Sequence, residues 1–226
     1  MATSQGASLI NNDATARQAV LFDFDGTLAP NLDLPDMRRQ VIALTETFGV
    51  PADVYADRYI VEIIDAATAW LHEREPAASA KYHENAHQLI VDIEINAATN
   101  TDPFPGIGEK LEQLKTQGLQ LGVVTRNCRA AVLQVFPDLL DYVHAMFARD
   151  DTTHLKPDPR HLRDCLAALG CESSKSVMVG DGALDMHAGR ALDMYCVGVL
   201  TGSGDVQALS DAGAHEVIDH CLDLTL

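Results

Sequence analysis

Apolar residues along this chain follow two alternating patterns. Short, nearly continuous apolar runs stop at glycine or polar residues, and between them apolar positions return every three or four residues. The first run, Ala19-Val20-Leu21-Phe22-Asp23-Phe24-Asp25-Gly26, suits a central strand buried on both faces and stopped by its glycine. Comparable runs lie at Leu119–Val124, Ala145–Ala148, Ser176–Val179 and Tyr195–Leu200, with a weaker one at Glu216–Ile218. Between them, Ile107, Leu111 and Leu114 share a helical face that ends at Gly118. Leu162, Cys165, Leu166 and Leu169 share another, with Pro159 near its start and Gly170 at its end. Strands alternating with helices predict an α/β fold with a doubly wound parallel sheet.

One interval breaks the alternation. More than 90 residues separate the end of the first run near Asp25 from Leu119, whereas a strand–helix–strand crossover needs only about 30. Three helical stripes occupy the excess: Met37, Val41, Leu44 and Phe48, then Tyr55, Tyr59, Ile63, Ala66 and Trp70, then Ala86, Leu89, Ile93 and Ala97. Pro35 and Gly49 bracket the first stripe. The pattern predicts a small α-helical cap over residues 30–100, inserted into a core made of 19–29 and 101–226, behind a flexible leader of residues 1–18. The chain re-enters the core around Thr101-Asp102-Pro103-Phe104-Pro105-Gly106.

Charge narrows the partners. The sequence has 16 Lys plus Arg against 33 Asp plus Glu, a net charge of −17, and 23 of those acids are Asp, the poorer helix former. Such an excess argues against nucleic acid or an anionic membrane surface as a partner. No apolar run approaches the roughly 18 to 20 residues of a membrane-spanning helix. A 47% hydrophobic and 22% charged composition is that of a globular protein able to bury a real core. The five cysteines, Cys128, Cys165, Cys171, Cys196 and Cys221, are odd in number and form no CxxC. They read as buried thiols in a reducing compartment, and with a polar N-terminus the expected location is cytoplasmic.

In an open parallel sheet, reactive groups belong at the carboxyl ends of the strands. The polar residues just past each apolar run form a coherent set. Asp23, Asp25, Gly26 and Thr27 follow the first run, and Thr125, Arg126 and Asn127 the second. Lys156 follows the third in Leu155-Lys156-Pro157-Asp158-Pro159, and the fourth leads into Gly180-Asp181-Gly182-Ala183-Leu184-Asp185. Carboxylates gathered on one rim repel one another unless a hard cation sits among them, and Mg²⁺ prefers oxygen ligands of this kind. A lysine and a threonine facing them suit a phosphoryl group. A calcium loop would need a bidentate Glu at the twelfth position, and Leu34 stands there, counting from Asp23.

Asp23-Phe24-Asp25-Gly26-Thr27-Leu28, Thr125, Lys156 and Gly180-Asp181-x-x-x-Asp185 together resemble, in order and placement, the four motifs of the haloacid dehalogenase-like hydrolases. The helical insertion between the first two resembles the C1-cap subgroup, which includes phosphoglycolate phosphatases, β-phosphoglucomutases, phosphonatases and 2-haloacid dehalogenases. Chemistry and resemblance imply the same roles. Asp23 is the expected nucleophile and Asp25 the general acid and base; Thr125, Arg126, Asn127 and Lys156 are expected to hold the phosphoryl group. Mg²⁺ is expected on Asp23, the Asp25 carbonyl, Asp181 and Asp185, the last directly or through water. The second acid, Asp25, speaks against a metal-free dehalogenase. Lys81 is the only lysine between Pro30 and Asn100 on which a phosphonatase Schiff base could form.

The expected activity is Mg²⁺-dependent hydrolysis of a small phosphorylated metabolite, phosphoglycolate or a similar phosphomonoester. A phosphomutase sharing all four motifs is the alternative. A reading of a different class rests on His83-Glu84-Asn85-Ala86-His87, which matches the HExxH of zinc peptidases, with Glu84 as base. It lacks the metzincin third ligand: Ile90 and Ile93 stand where glycine and histidine belong. Arg38, Arg39, Arg58, Arg74 and Lys81 are the cap cations available to meet a second anionic group, such as the carboxylate of phosphoglycolate.

Overall fold

A computed structural model describes residues 17–226, so the expected leader, apart from Arg17 and Gln18, lies outside the described residues. The chain begins with β1 (Ala19–Phe22), followed by α1 (Leu34–Thr47), α2 (Ile60–His72) and α3 (Pro76–Ala98). It continues through α4 (Ile107–Thr116), β2 (Gln120–Val124), α5 (Arg129–Val135), α6 (Leu139–Tyr142), β3 (Ala145–Phe147) and α7 (Pro159–Leu169). The last elements are β4 (Ser176–Gly180), α8 (Ala183–Arg190), β5 (Tyr195–Val199), α9 (Val206–Asp211) and β6 (Glu216–Ile218).

The six strands form one parallel sheet in the order β3-β2-β1-β4-β5-β6. In register, Phe22 of β1 lies between Val123 of β2 and Val179 of β4. Each expected apolar run contains a strand, and β1 closes at Phe22, earlier than its apolar letters suggest. The Phe24 carbonyl accepts from the amides of Leu28 and Ala29, and Gly26 donates to the Ala29 carbonyl, so the backbone coils directly after Asp23. Gly26 takes φ +75°, and a Cβ there would stand 2.6 Å from the Asp181 carboxylate. Only glycine meets both demands.

Both faces of the sheet are covered, as fully buried strands require. On one side Val20 and Phe22 pack with Ile107, Leu111 and Leu114 of α4 and with α5. On the other, Ala19 and Leu21 pack with Leu162, Cys165 and Leu166 of α7 and with Met186 of α8. All five cysteines are free thiols, four of them buried.

α1, α2 and α3 build a third core of their own, centred on Met37, Val41, Ile63, Ile64, Tyr82 and Ile90. The Tyr82 hydroxyl, in the fully buried ring's interior position, bonds the Thr45 hydroxyl at 2.8 Å. The buried seams of α2 and α3 sit about one residue on from the expected stripes: Ile63, Ile64, Ala67 and Leu71 on α2, and Tyr82, Ala86, Ile90, Glu94 and Ala98 on α3. α3 packs against both α2 and the core helix α5, so its apolar arc is wide and Leu89 and Ile93 flank the seam instead of forming it. Tyr55 lies just after a short 3₁₀ turn, and Tyr59 stands exposed at the start of α2. Among the described residues, no helix is long and apolar enough to cross a membrane.

Candidate active site

Strand order reverses beside β1, and a parallel sheet opens a crevice there at its carboxyl edge. Asp23 leaves β1 into that crevice, Asp181 leaves β4, and Asp185 sits in the first turn of α8. Ligand oxygens of these three carboxylates lie within 4.8 Å of one another. Lys156, on the loop between β3 and α7, reaches in from below: its fully buried ammonium donates to Asp23 Oδ1 at 2.8 Å and to Asp185 Oδ1 at 2.6 Å. Asp185 also accepts the Gly182 amide through Oδ2 at 3.1 Å, which caps α8.

Burial alone would lower the Lys156 pKa, but the charges of Asp185 and Asp23 outweigh it and push it up. The acids are pushed up as well. Burial and then the Asp23 charge raise Asp181, against the bonds from Ser203, and the same two causes raise Asp185 against Lys156. One ammonium cannot balance three carboxylates this close, so the cluster lacks positive charge. A donor set made only of carboxylate oxygens fits a hard divalent cation such as Mg²⁺.

Asp25 lies across the crevice with different partners. Its half-buried carboxyl opens on the cavity, and desolvation, followed by the Asp23 charge, pushes its pKa up to about 8. Asn127 Nδ2 donates to both Asp25 oxygens at 3.1 Å, and the Thr125 hydroxyl faces Asp25 Oδ2 at 3.5 Å. The Asn127 side chain is therefore engaged by Asp25. Arg126 turns away from the acids altogether: its guanidinium forms a bidentate pair with Glu62 of α2, at 2.8 and 3.0 Å, and donates to the Lys156 carbonyl. Thr125, at the end of β2, keeps its hydroxyl at the rim, where the Asn127 amide donates to it at 3.1 Å.

Several supporting residues carry no signal in the sequence. Ser203 donates to Asp181 Oδ2 from its amide at 2.6 Å and its hydroxyl at 2.8 Å, and Asn31 faces the same oxygen at 3.4 Å. Losing one such orienting bond typically costs about tenfold in metal affinity. Ser203→Ala should thus raise the Mg²⁺ dissociation constant about tenfold, read by titration calorimetry on chelator-stripped protein; an unchanged constant would remove Ser203 from the site. His161 is fully buried, and burial and Lys156 lower its pKa to about 3. Being neutral, it accepts the Lys156 amide at Nδ1 and gives Nε2–H to the Phe147 carbonyl, which fixes the lysine loop to β3. Glu94 of α3 pairs with Arg149, with Nη2 to Oε2 at 2.7 Å, and also accepts the Cys128 amide. Arg149 in turn donates to the Arg126 carbonyl, so cap and core meet over the loop after β2.

The His83 and His87 rings lie 4.3 Å apart on α3, tilted by 49° to each other. Among the described residues they gather no third metal ligand; the one three-acid cluster is Asp23, Asp181 and Asp185.

The model of the haloacid dehalogenase-like hydrolases matches residues 20–199. The chain belongs to that family. Among its relatives, a phosphoglycolate phosphatase of Neisseria meningitidis serogroup A is 30% identical over 87% of this chain and 86% of the relative. Another from Caulobacter vibrioides is also 30% identical, over 91% and 88%. In solved structures, a β-phosphoglucomutase from Clostridium difficile superposes with a TM-score of 0.67 at 18% identity, covering 93% of this chain and 94% of that one, a likeness of fold. On its family membership and these relatives the chain is an enzyme, a phosphatase, with a helical cap region over an α/β core.

Proposed function

We propose that this enzyme hydrolyses a small phosphomonoester through a phosphorylated Asp23, with Asp25 as acid and then base. The observation that carries this reading is the contrast between two carboxyls two residues apart: Asp23 bonded to the Lys156 ammonium, and Asp25 pushed up to about 8 and facing the same cavity. Two acids whose environments separate them in this way can serve as nucleophile and proton donor in one active site.

In the first step an Asp23 oxygen attacks phosphorus in line and the bond to the substrate oxygen breaks. Asp25 gives its proton to that departing oxygen. In the second step Asp25, now a carboxylate, takes a proton from water as the water attacks phosphorus, and the Asp23–phosphorus bond breaks to release inorganic phosphate. Lys156 balances the charge that spreads over the phosphoryl oxygens, while Thr125 and the amides after it orient them. A divalent cation such as Mg²⁺ on Asp23, Asp181, Asp185 and the Asp25 carbonyl supplies positive charge to those oxygens when bound. Asn127 holds the Asp25 carboxyl in place.

The free cysteines fit a reducing compartment, and we place the enzyme in the cytoplasm. Release of inorganic phosphate from a panel of phosphorylated metabolites, phosphoglycolate among them, should require added Mg²⁺ and stop with EDTA. Release that persists after complete removal of divalent metal, or none from any ester, overturns the reading.

A further inference from the structure

The cavity over the acidic rim has a volume of about 640 Å³. Pockets of roughly 300–1,000 Å³ hold drug-sized ligands, and a two-carbon phosphate acid fills only a small part of this one. Besides the acids, Lys156 and a few other polar residues, its lining carries an apolar set. Leu34, Tyr59 and Val61 from the cap side and Leu184 from the core side belong to it. These four pack into none of the three apolar cores. Leu34 and Tyr59 remain 40% and 52% exposed and are two of the few large apolar side chains left in contact with solvent among the described residues. Exposed apolar side chains converging on one cavity mark a binding surface more often than scattered ones do.

Three of the four cations that line the cavity are paired with acids. Arg126 is held by Glu62, Arg149 by Glu94, and Lys156 by Asp23 and Asp185. Arg38 is the one expected cap cation that reaches the cavity, and it donates to the carbonyls of Arg58 and Ala56. Arg39 pairs with Asp36, Arg58 with the Val54 carbonyl, and Arg74 with Glu73 and the Trp70 carbonyl. A substrate carboxylate would have to break one of these ion pairs or compete with two backbone carbonyls for Arg38, and sugar hydroxyls set against Leu34, Val61 and Leu184 would find no hydrogen-bond partner on those side chains.

We infer that the alcohol portion of the substrate is a bulky, uncharged, apolar group, aryl or branched alkyl, seated on Leu34, Tyr59, Val61 and Leu184. The inference rests on the phosphatase reading above. One methylene more or less in a hydrophobic pocket changes kcat/KM by about 10–200-fold, so a whole ring should be strongly selected.

The test compares kcat/KM, with Mg²⁺, for benzyl phosphate, methyl phosphate, 2-phosphoglycolate and glucose 1-phosphate. Benzyl and methyl alcohol are leaving groups of similar basicity, so their ratio reports the pocket. Benzyl phosphate should exceed each of the others by about tenfold or more. Phosphoglycolate or glucose 1-phosphate at or above benzyl phosphate overturns the inference and leaves the phosphatase reading standing. Phosphate release from none of the four overturns that reading itself. In Tyr59→Ser and Leu184→Ser the benzyl-to-methyl ratio should shrink by about tenfold. A ratio is insensitive to the fraction of folded protein, and one left at the unsubstituted value overturns the placement of the group.

Discussion

Asp23→Asn should lose about 10⁴-fold or more in kcat on any phosphomonoester the enzyme accepts, a loss of the size seen when a covalent nucleophile is removed. The substitution keeps the side chain's shape and takes away its charge. An amide does not attack phosphorus to give the hydrolysable acyl phosphate, and it offers the Lys156 ammonium, now 2.8 Å from Asp23 Oδ1, a weaker partner. The same change removes one of the three carboxylates of the metal cluster, so the Mg²⁺ affinity should fall too. Saturating Mg²⁺ therefore belongs in the assay, to separate lost chemistry from lost metal. Stopping the unsubstituted enzyme in acid during turnover and digesting it should place the phosphate on the peptide that contains Asp23. Activity within tenfold of the unsubstituted enzyme at saturating Mg²⁺, or a phosphate on another peptide, would end the covalent reading.

Because Asp23 raises Asp25, Asp181 and Asp185 alike, Asp23→Asn has an effect on ionisation as well as on chemistry. Each of the three acids should titrate lower in the variant. One charge thus sets the protonation of its neighbours as well as doing its own work, and single substitutions in this cluster will not add.

Much of this arrangement was legible in the sequence, for a physical reason. Strands buried on both faces must be apolar, so the first polar residues after each run mark where the chain leaves the sheet; Asp23, Thr125 and Asp181 stand there, and Lys156 lies further along the loop after β3. The parallel order then brings those exits to one edge. What could not be read were contacts between residues distant in sequence and outside any periodic pattern. Ser203 meets Asp181 across 22 positions, Glu94 meets Arg149 across 55, and Glu62 meets Arg126 across 64. The last of these engages the Arg126 guanidinium with the cap, and the Asn127 side chain meets Asp25 across 102 positions, giving a half-buried carboxyl its donor. The stripe on α3 was displaced because periodicity reports how apolar a face is, whereas the seam depends on which neighbours enclose it.

Asp25→Asn separates stability from activity. Asp25 titrates at about 8 in the folded chain and near 3.8 when exposed. A folded-state pKa above the unfolded one means that the folded chain binds this proton more tightly. The group's full contribution to stability is therefore present below about 3.8 and is lost as pH rises through about 8. At pH 7 the penalty amounts to roughly 2–4 kcal/mol, which an uncharged amide of the same shape does not pay. In metal-free protein, Asp25→Asn should raise Tm by about 5 °C or more at pH 7, with the gain vanishing at pH 4. Activity moves the other way. The amide can neither protonate the departing oxygen nor deprotonate water, so turnover of benzyl phosphate should fall by about 10²–10⁴-fold. With p-nitrophenyl phosphate, whose leaving group needs no proton, the first step should survive better than the second, and phosphorylated enzyme should accumulate. A divalent cation on Asp23 offsets the charge that helps raise Asp25, so Mg²⁺ should shift its titration below 8 while burial keeps it above 3.8. The alkaline limb of kcat/KM for an alkyl phosphate should fall within that interval, declining tenfold per pH unit above it, and should be absent from the residual activity of Asp25→Asn. A limb that persists in the variant, or a Tm that drops at pH 7, would mean that Asp25 is neither the proton donor nor the desolvated acid that this geometry makes it.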